Sequence, residues 1–416
     1  MKYLLGLLLV LFASYADIFL FRVNVVPLEP SMFLIPLFIV IGFLKYSITD
    51  MYDILKSHTF RFFAFITLLT ILYSVFTKAS EEVIITEISL NFITLLLYII
   101  AVHFFRTESK PLVTTVIIVG LLLCGGSVVY DLMFGLPNQS LKLAQSVRKG
   151  GFGENPNQAA SGIKFLALCA LVLIWNKKYA RFFVLTFLLI TVFVTFSRSG
   201  LVSVFFILAL GAINNWSNQF QKNPVAMILS FFKLIVLFIF IAISLVVLAN
   251  VIRANFPQFT RGEAGKRLDL LTGQSEASNI SSDAIEGGRG TLLLEYFDEF
   301  KQNPLGLGTG YSSDKKANGG KLNTHNYYLY LAVNLGFLAL LLYIIFNAYN
   351  IRLAFKHNQF YYLIFTLLFF LEGFFTHSIF HERSILVCLA FFDSQIYKTQ
   401  IKLINPINLV PNQTNA

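Results

Sequence analysis

Long runs of apolar residues, separated by short polar segments, recur along almost the whole chain. A helix that crosses the roughly 30 Å core of a bilayer needs about 20 predominantly apolar residues. Runs of that kind lie near residues 3–21, 31–47, 60–77, 83–104, 112–133, 161–176, 180–196, 199–214, 228–252, 327–350, 360–380 and 383–398. The pattern therefore predicts an all-α polytopic membrane protein with about twelve transmembrane helices.

Two polar gaps, 134–160 and 253–326, are longer than a turn. In the second gap, apolar side chains from Leu292 to Phe300 recur at helical spacing and predict an amphipathic helix over about 291–302. The predicted organisation has four parts. They are helices one to nine at 1–252, a loop subdomain at 253–326, helices ten to twelve at 327–398, and a tail at 399–416.

The first helix has two interpretations. Met1-Lys2 followed by an apolar run to Ala13 is similar to a signal peptide that would end near Ala16. The apolar run continues through Phe21, which favours an uncleaved first transmembrane helix. Cleavage stays open as the alternative.

The composition agrees with a membrane protein and limits its partners. Of 416 residues, 56% are hydrophobic and 13% are charged, and the mean hydropathy is +0.70. The net charge of +10 is therefore attributed to the positive-inside bias and to anionic lipid head groups, and no nucleic acid is expected as a partner. Cys124, Cys169 and Cys388 lie in apolar runs without metal-ligand spacing, which indicates small buried hydrophobic residues.

The basic residues of the short loops predict the orientation. With a cytoplasmic N-terminus, the short loops on that side carry many lysines and arginines, among them Lys45, Arg106 and Lys177. The short loops opposite carry only Arg22, Lys78, Arg198 and Arg383. Both termini are therefore predicted in the cytoplasm and the 253–326 loop on the periplasmic side.

Two arginines are candidates for binding an anion. Arg198 sits between two apolar runs with hardly any loop, where a charge needs water, a cavity or a partner; snorkelling to a lipid phosphate is the alternative. Arg289 precedes a predicted helix start, where free N–H groups favour an anion and a guanidinium can grip phosphate. A solvated loop arginine is the alternative there.

The histidines near the ends of the late spans are candidates for acid–base chemistry or binding. His325 lies just before the tenth span and has a side chain suited to a general base at neutral pH, with a structural role as the alternative. His377 and His381 are four residues apart and could hold a metal, but no third ligand is evident, so none is predicted. Glu372 is a candidate partner for an arginine, and Lys164, Lys233 and Glu87 are interpreted as snorkelling near span ends.

The chain contains no motif of several soluble catalytic classes. It has no Asp-x-Asp, no Gly-x-Ser-x-Gly and no His-Glu-x-x-His, and the glycine-rich turn at 150–158 lacks the Gly-Lys-Ser/Thr of a P-loop. Nucleotide-driven chemistry in the cytoplasm is therefore not expected.

Three ordered blocks resemble the O-antigen ligase and O-antigen polymerase superfamily of bacterial envelope glycosyltransferases. They are the segment Thr195 to Gly200, the run from Gly288-Arg289 through Asn303-Pro304-Leu305-Gly306-Leu307-Gly308, and His325-Asn326 separated from Gly336 by nine residues. The Asn155-Pro156-Asn157 turn is also similar to the family. The ligase pattern has Gly, Thr or Tyr three residues after that last glycine, where this chain has Ala339.

The resemblance implies a fold similar to other polyprenyl-phosphate-using membrane glycosyltransferases (GT-C-like). It implies that Arg198 and Arg289 hold the diphosphate of a polyprenyl-linked glycan and that His325 activates the acceptor hydroxyl. It further implies a metal-independent, inverting enzyme without a cofactor. Other candidates for substrate binding at the same face are Asn157, Asn326, His377, His381 and Arg383.

The expected activity is a glycan transfer at the periplasmic face of the bacterial inner membrane. The favoured form is a polymerase that joins repeats carried on undecaprenyl diphosphate, and the alternative is a ligase that transfers the glycan to lipid A core. The implied partners are the lipid-linked donor, the glycan acceptor, the bilayer and a chain-length regulator protein. A lipid-linked glycan flippase or transporter without chemistry is the alternative from another class.

Overall fold

The computed structural model describes residues 1–30, 32–136, 149–153, 155–220 and 289–404, with single positions between 232 and 255. The side chains of residues 48, 50, 210–220, 289 and 397–404 fall outside that description. Within the described ranges the protein is helical and has no β-strand, which confirms the all-α prediction.

Residues 2–134 form seven helices that alternate with short connections. They are α1 (Lys2–Ser14), α2 (Ala16–Arg22), α3 (Leu34–Lys45), α4 (Ile48–Leu55), α5 (His58–Tyr73), α6 (Glu81–Thr107) and α7 (Lys110–Phe134). The rest of the chain begins with α8 (Pro156–Ile174), α9 (Lys178–Val194) and α10 (Arg198–Phe220). It ends with α11 (Arg289–Gln302), α12 (Tyr327–Lys356), α13 (Phe360–Glu372) and α14 (Arg383–Ile404).

Four of the described helices, α6, α7, α8 and α12, are long and apolar enough to cross a membrane. The bent pair α1 and α2 makes a fifth if it is counted as one span. Shorter apolar helices include α3, α5, α13 and residues 198–209 of α10. These lengths agree with a polytopic membrane protein, while the count of twelve spans stays a prediction, and the predicted span at 228–252 lies mostly outside the described residues.

Several predicted spans differ from the observed helices. The predicted span 3–21 is broken at Tyr15, whose φ of 61° lies in the left-handed region, and α1 and α2 meet at an angle of 77°. The helix in the predicted span 360–380 ends at Glu372, and residues 373–380 form turns and bends instead of helix. Helix α4 was not predicted, whereas the amphipathic helix expected over 291–302 is present as α11.

The centre of the bundle is formed by α8 and α14. Nearly every described side chain of these two helices is buried, and α14 packs against α1, α6 and α8. A helix that is apolar on nearly all sides lies either among other helices or in lipid, and here neighbouring helices surround α8 and α14. Cys124, Cys169 and Cys388 are buried and free within this core, which confirms that they are small apolar packing residues.

A buried carboxylate ties the central helix to three neighbours. Asp393 of α14 is 2% exposed and accepts hydrogen bonds from Thr59 Oγ1 (2.7 Å), Tyr98 OH (2.7 Å) and Tyr362 OH (2.9 Å). These donors belong to α5, α6 and α13. Because a buried carboxylate must be solvated by the protein, the three hydroxyls fix how these helices meet.

Helix α12 is interrupted at Gly336, whose φ of 76° is not helical. The break frees the carbonyl groups of Val333 and Asn334, which accept hydrogen bonds from the N–H groups of Leu307 (2.7 Å) and Gly308 (3.0 Å). On the other side of the break, Phe337 N–H donates to the Pro304 carbonyl at 2.9 Å. The Asn303–Gly308 segment therefore completes the backbone hydrogen bonding of the broken helix.

Candidate active site

The turn before α8 is held in place by α7. The Asp131 carboxylate accepts a hydrogen bond from Gly151 N–H at 3.3 Å and lies 3.5 Å from the Lys149 ammonium, while Ser127 Oγ accepts one from Phe152 N–H at 3.0 Å. The Asn155 side chain then caps α8 by accepting from Gln158 N–H at 2.9 Å. These contacts fix the first turn of α8 at one end of the bundle.

His325 lies at the same end, directly before α12. Its φ of 47° places it in the left-handed region, which non-glycine residues occupy at an energetic cost. Asn326 is the N-cap of α12 and accepts a hydrogen bond from Leu329 N–H at 3.1 Å. Tyr327 N–H donates to the Gly373 carbonyl at 2.7 Å, so the His325 segment is anchored to the end of α13.

A cavity of about 500 Å³ joins these segments. It is bounded by the first turns of α8, by His325, by the end of α13 and by the loop that leads to α14. The described residues that line it are Asn155, Pro156, Asn157, Gln158, Ser161, His325, Glu372, Phe375, Thr376, His377, Ser378, Glu382 and Ile385. The cavity therefore combines amides, hydroxyls, carboxylates and two histidines, and we call it the polar cavity.

The two histidine rings of the polar cavity are in contact. The rings of His325 and His377 meet edge to face, with 5.6 Å between their centroids. Burial, with smaller contributions from the nearby His325 and His381, lowers the pKa of His377 to about 4, so His377 is neutral at pH 7. Burial also lowers the pKa of His381, against the opposing effect of Glu87. No described group of three or more His, Cys, Asp or Glu residues could hold a metal ion.

A buried ion pair lies behind one wall of the polar cavity, where Glu372 is the member of the pair that lines it. The Lys164 ammonium of α8 donates to Glu372 Oε2 of α13 and to Ser203 Oγ of α10, the latter at 3.3 Å. Ser161 Oγ donates to the other oxygen of Glu372. The snorkelling interpretation of Lys164 is therefore wrong, since its side chain is 1% exposed and neutralised by Glu372. Lysine takes the place of the arginine that was expected as the partner of Glu372.

Glu87 is also buried and engaged, contrary to the snorkelling interpretation. Its carboxylate accepts hydrogen bonds from Tyr330 OH at 2.6 Å and from Ser313 Oγ at 2.8 Å. These contacts attach the 303–326 loop and α12 to α6. Lys233, the third residue interpreted in that way, lies outside the described residues.

Arg198 begins α10, and its exposed side chain makes no hydrogen bond or ion pair with the described part of the protein. Its helix packs closely on the cavity wall: a Cβ added at Gly200 would lie 2.9 Å from Ala160 Cβ, next to Ser161. Arg289 begins α11, but its side chain is outside the described set, so its distance to His325 stays untested. The roles assigned to both arginines remain predictions.

The other predicted binding residues have varied surroundings. Asn157 and His377 line the polar cavity, whereas Asn326 caps α12 beside it. Arg383 forms an ion pair with Asp17 of α2, which is fully buried. This pair fixes the start of α14 against the bend between α1 and α2.

Sequence reasoning missed much of the wall of the polar cavity. Glu382 accepts a hydrogen bond from Gln158 Nε2 at 2.7 Å, which joins the α8 turn to the loop before α14. Gln158 is the last residue of the glycine-rich turn at 150–158, and Glu382 directly follows His381. Nothing in the sequence near either residue indicates that the two are in contact, because they lie far apart along the chain. The charge of Glu372 within an apolar run was one signal for this wall, and the predicted residues Asn157, His325 and His377 line the cavity as well.

Comparison with known proteins agrees with the resemblance seen in the sequence. Residues 182–344 match the family model described as O-antigen ligase, and the match includes Arg198, Arg289 and His325. No curated protein sequence matches the chain significantly. The match of residues 182–344 therefore supports the O-antigen ligase and polymerase superfamily.

Proposed function

We propose that the protein is a membrane glycosyltransferase that moves a glycan from a polyprenyl diphosphate carrier to a sugar hydroxyl. The family match supports a ligase- or polymerase-like enzyme in general terms. The observation that carries the proposal is the polar cavity itself, in which His325 and the first turn of α8 face one space with many hydrogen-bonding groups. We assign this end of the bundle to the periplasmic face of the inner membrane.

The proposed reaction is a single displacement at the anomeric carbon of the donor sugar. His325 removes the proton of the acceptor hydroxyl as its oxygen attacks that carbon. The bond between the sugar and the diphosphate breaks, and the electron pair leaves with the diphosphate. Arg198 and Arg289 stabilise the negative charge that develops there, and the proton passes from His325 to solvent. One displacement inverts the anomeric configuration, and no step calls for a metal.

The favoured activity is polymerisation, in which the acceptor is itself a lipid-linked repeat. The ligase activity differs only in the acceptor, the sugar of a lipid A core, and the match to the O-antigen ligase family supports it as the second candidate. A chain-length regulator protein is proposed as a partner of the polymerase form.

Reconstitution into lipid vesicles with a polyprenyl-diphosphate-linked repeat and a chelator tests both activities. A ladder of products from the donor alone is the result expected of a polymerase. A shifted band that requires added lipid A core would establish the ligase instead. Absence of product under both conditions would contradict the enzyme proposal and favour the flippase or transporter alternative.

A further inference from the structure

The Lys164–Glu372 pair is deeply buried, although Lys164 lies near the end of a predicted span, where a side chain that reaches the membrane surface was expected. Lys164 is 0% exposed and Glu372 is 5% exposed as whole residues. The two charged groups and their hydrogen-bond partners belong to three helices. Ser161 and Lys164 lie on α8, Ser203 lies on α10 and Glu372 lies on α13. The position of the Glu372 carboxylate is therefore tightly defined.

Stability alone does not account for such a pair. Removing two charges from water is costly, and well-packed apolar residues of similar volume often stabilise a protein as much. An ionisable residue inside a membrane protein is therefore a candidate for function. Glu372 meets this expectation because it lines the polar cavity together with His325.

The chemistry of the cavity lining favours a sugar over a phosphate. Asn157, Gln158 and Ser378 offer amide and hydroxyl groups, and Glu372 and Glu382 offer carboxylates. Among the lining residues that the structure describes, none is a lysine or an arginine, which are the usual partners of phosphate. The volume of about 500 Å³ lies within the usual range of small-ligand sites, about 300–1,000 Å³.

We propose that the polar cavity binds an uncharged sugar residue of the acceptor glycan, and that Glu372, positioned by Lys164, accepts a hydrogen bond from one of its hydroxyls. The assignment of this sugar to the acceptor rests on the proposed function, whereas the sugar site itself is inferred from the lining of the cavity. The diphosphate of the donor then lies outside this cavity, on the side of Arg198. A sugar that carries a carboxylate binds poorly because its charge meets Glu372 and Glu382.

A binding measurement without any lipid carrier tests this site. The probes are oligosaccharides released from lipid, in which neutral members and members containing hexuronic acid are matched in length. The purified protein in nanodiscs is expected to bind neutral members and to reject the matched acidic ones. Inorganic pyrophosphate is expected not to displace the bound sugar. Binding of acidic members only, displacement by pyrophosphate, or no binding at all would overturn the proposal.

The double variant Lys164→Met/Glu372→Gln removes both charges together, so that neither is left buried without its partner. We expect its affinity for the neutral oligosaccharides to fall at least about tenfold, as loss of a hydrogen bond to a charged group predicts. Ser161→Ala, which removes one donor to Glu372, is the second variant if the first does not fold, and a smaller loss of about threefold is expected. Unchanged affinity in a folded variant would contradict the proposal.

The matched control is the Lys45–Glu108 ion pair at the opposite end of the bundle. Lys45→Met/Glu108→Gln loses the same two charges and should leave oligosaccharide binding unchanged. The outcome also separates this inference from the proposed function. Sugar binding that depends on Glu372, without glycan transfer in the reconstituted assay, would refute only the transferase, whereas transfer with an acceptor KM insensitive to Glu372 would refute only the sugar site.

Discussion

At the scale of single residues, the side chains proposed for chemistry differ in how firmly the protein holds them. His325 is held by its strained backbone, by the Asn326 cap and by its contact with the His377 ring. Arg198 is exposed at the start of α10. A base needs a fixed position, whereas an arginine that binds a mobile lipid diphosphate can complete its contacts when the substrate arrives.

Substitution of either side chain is expected to impair transfer without unfolding the protein. Arg198→Ala and His325→Ala should each lower the rate by about 10²–10³, since loss of one preorganised donor or one base typically has that effect. The rate is measured in the reconstituted assay on protein of verified thermal stability. Arg352→Ala, which removes an exposed arginine at the opposite end of α12, is the control and should retain full activity. Wild-type turnover in folded Arg198→Ala would remove this residue from the mechanism.

The depressed pKa of His377 predicts a contribution to acid sensitivity. Burial is the main cause of a folded-state pKa of about 4, and the unfolded value is about 6.5. The unfolded state therefore binds the proton first, so stability is fully present above pH 6.5 and declines as the pH falls toward 4. In nanodiscs, His377→Gln should lose less thermal stability than the wild type between pH 7.5 and pH 5. Equal losses in the two proteins would show that His377 does not control this range.

The sequence identified Glu372 as a residue that needs a partner but did not identify that partner. A charge in an apolar run identified Glu372 as a residue in need of a partner, because the cost of burying a charge is a local property. The partner is Lys164, which lies more than two hundred positions earlier and is brought near by the packing of α8 against α13. Hydrophobic periodicity predicts that helices exist, but it does not say which of them touch.

At the scale of elements, the broken helix α12 has the largest influence on the candidate site. The break at Gly336 is filled by the Asn303–Gly308 segment, and α12 begins directly after His325. A Cβ at Gly336 would overlap the carbonyl of Leu305, and a Cβ at Gly306 would lie 2.6 Å from the Gly336 nitrogen. The two glycines therefore permit a close backbone approach that other residues would prevent.

Gly336→Ala is expected to destabilise the protein by at least about 2 kcal/mol, because it adds a steric clash to a positive φ. Thermal unfolding in nanodiscs measures the change. The control is Gly126→Ala in α7, where an added Cβ meets nothing within 4 Å and a gain of up to about 1 kcal/mol is expected from helix propensity. A neutral Gly336→Ala would mean that the observed close approach is not required.

The same element marks a limit of prediction from sequence. The glycines at 306, 308 and 310 are closely spaced in the sequence, and all three have positive φ. Their spacing did not reveal that the N–H groups of this turn complete a helix some thirty residues later. Such pairing is a tertiary property, since any exposed carbonyl could have accepted those hydrogen bonds.

At the scale of the whole molecule, composition and hydrophobic runs predicted the all-helical membrane class but not each span. The first predicted span is bent by 77° at Tyr15, and α13 has 13 residues, or about 20 Å of helix. The bend at Tyr15 is followed by Asp17, which pairs with Arg383. Helix α13 ends at Glu372, which pairs with Lys164, and both ion pairs lie near the polar cavity. Irregular backbone is tolerated at membrane depth where protein or a water-filled cavity surrounds it, so these departures cluster around the candidate site.

The orientation of the whole bundle is the remaining prediction, and the exposed lysines at its two ends make it testable. Lys316 lies in the loop beside the polar cavity, and Lys356 lies at the far end of α12. The three native cysteines are buried, so an introduced cysteine should be the main target of a maleimide. With the cavity on the periplasmic side, a membrane-impermeant maleimide should label Lys316→Cys in intact cells. Lys356→Cys should be labelled only after the inner membrane is permeabilised.

The reverse labelling pattern would show that the bundle has the opposite orientation. It would also bear on the proposed reaction. The proposed reaction uses a donor whose activated diphosphate is made before transfer, so the enzyme needs no cytoplasmic nucleotide at its site. A cavity that opens to the cytoplasm would contradict the proposed periplasmic site and the positive-inside bias of the short loops. Because labelling needs neither substrate nor activity, it decides the orientation independently of the transferase proposal.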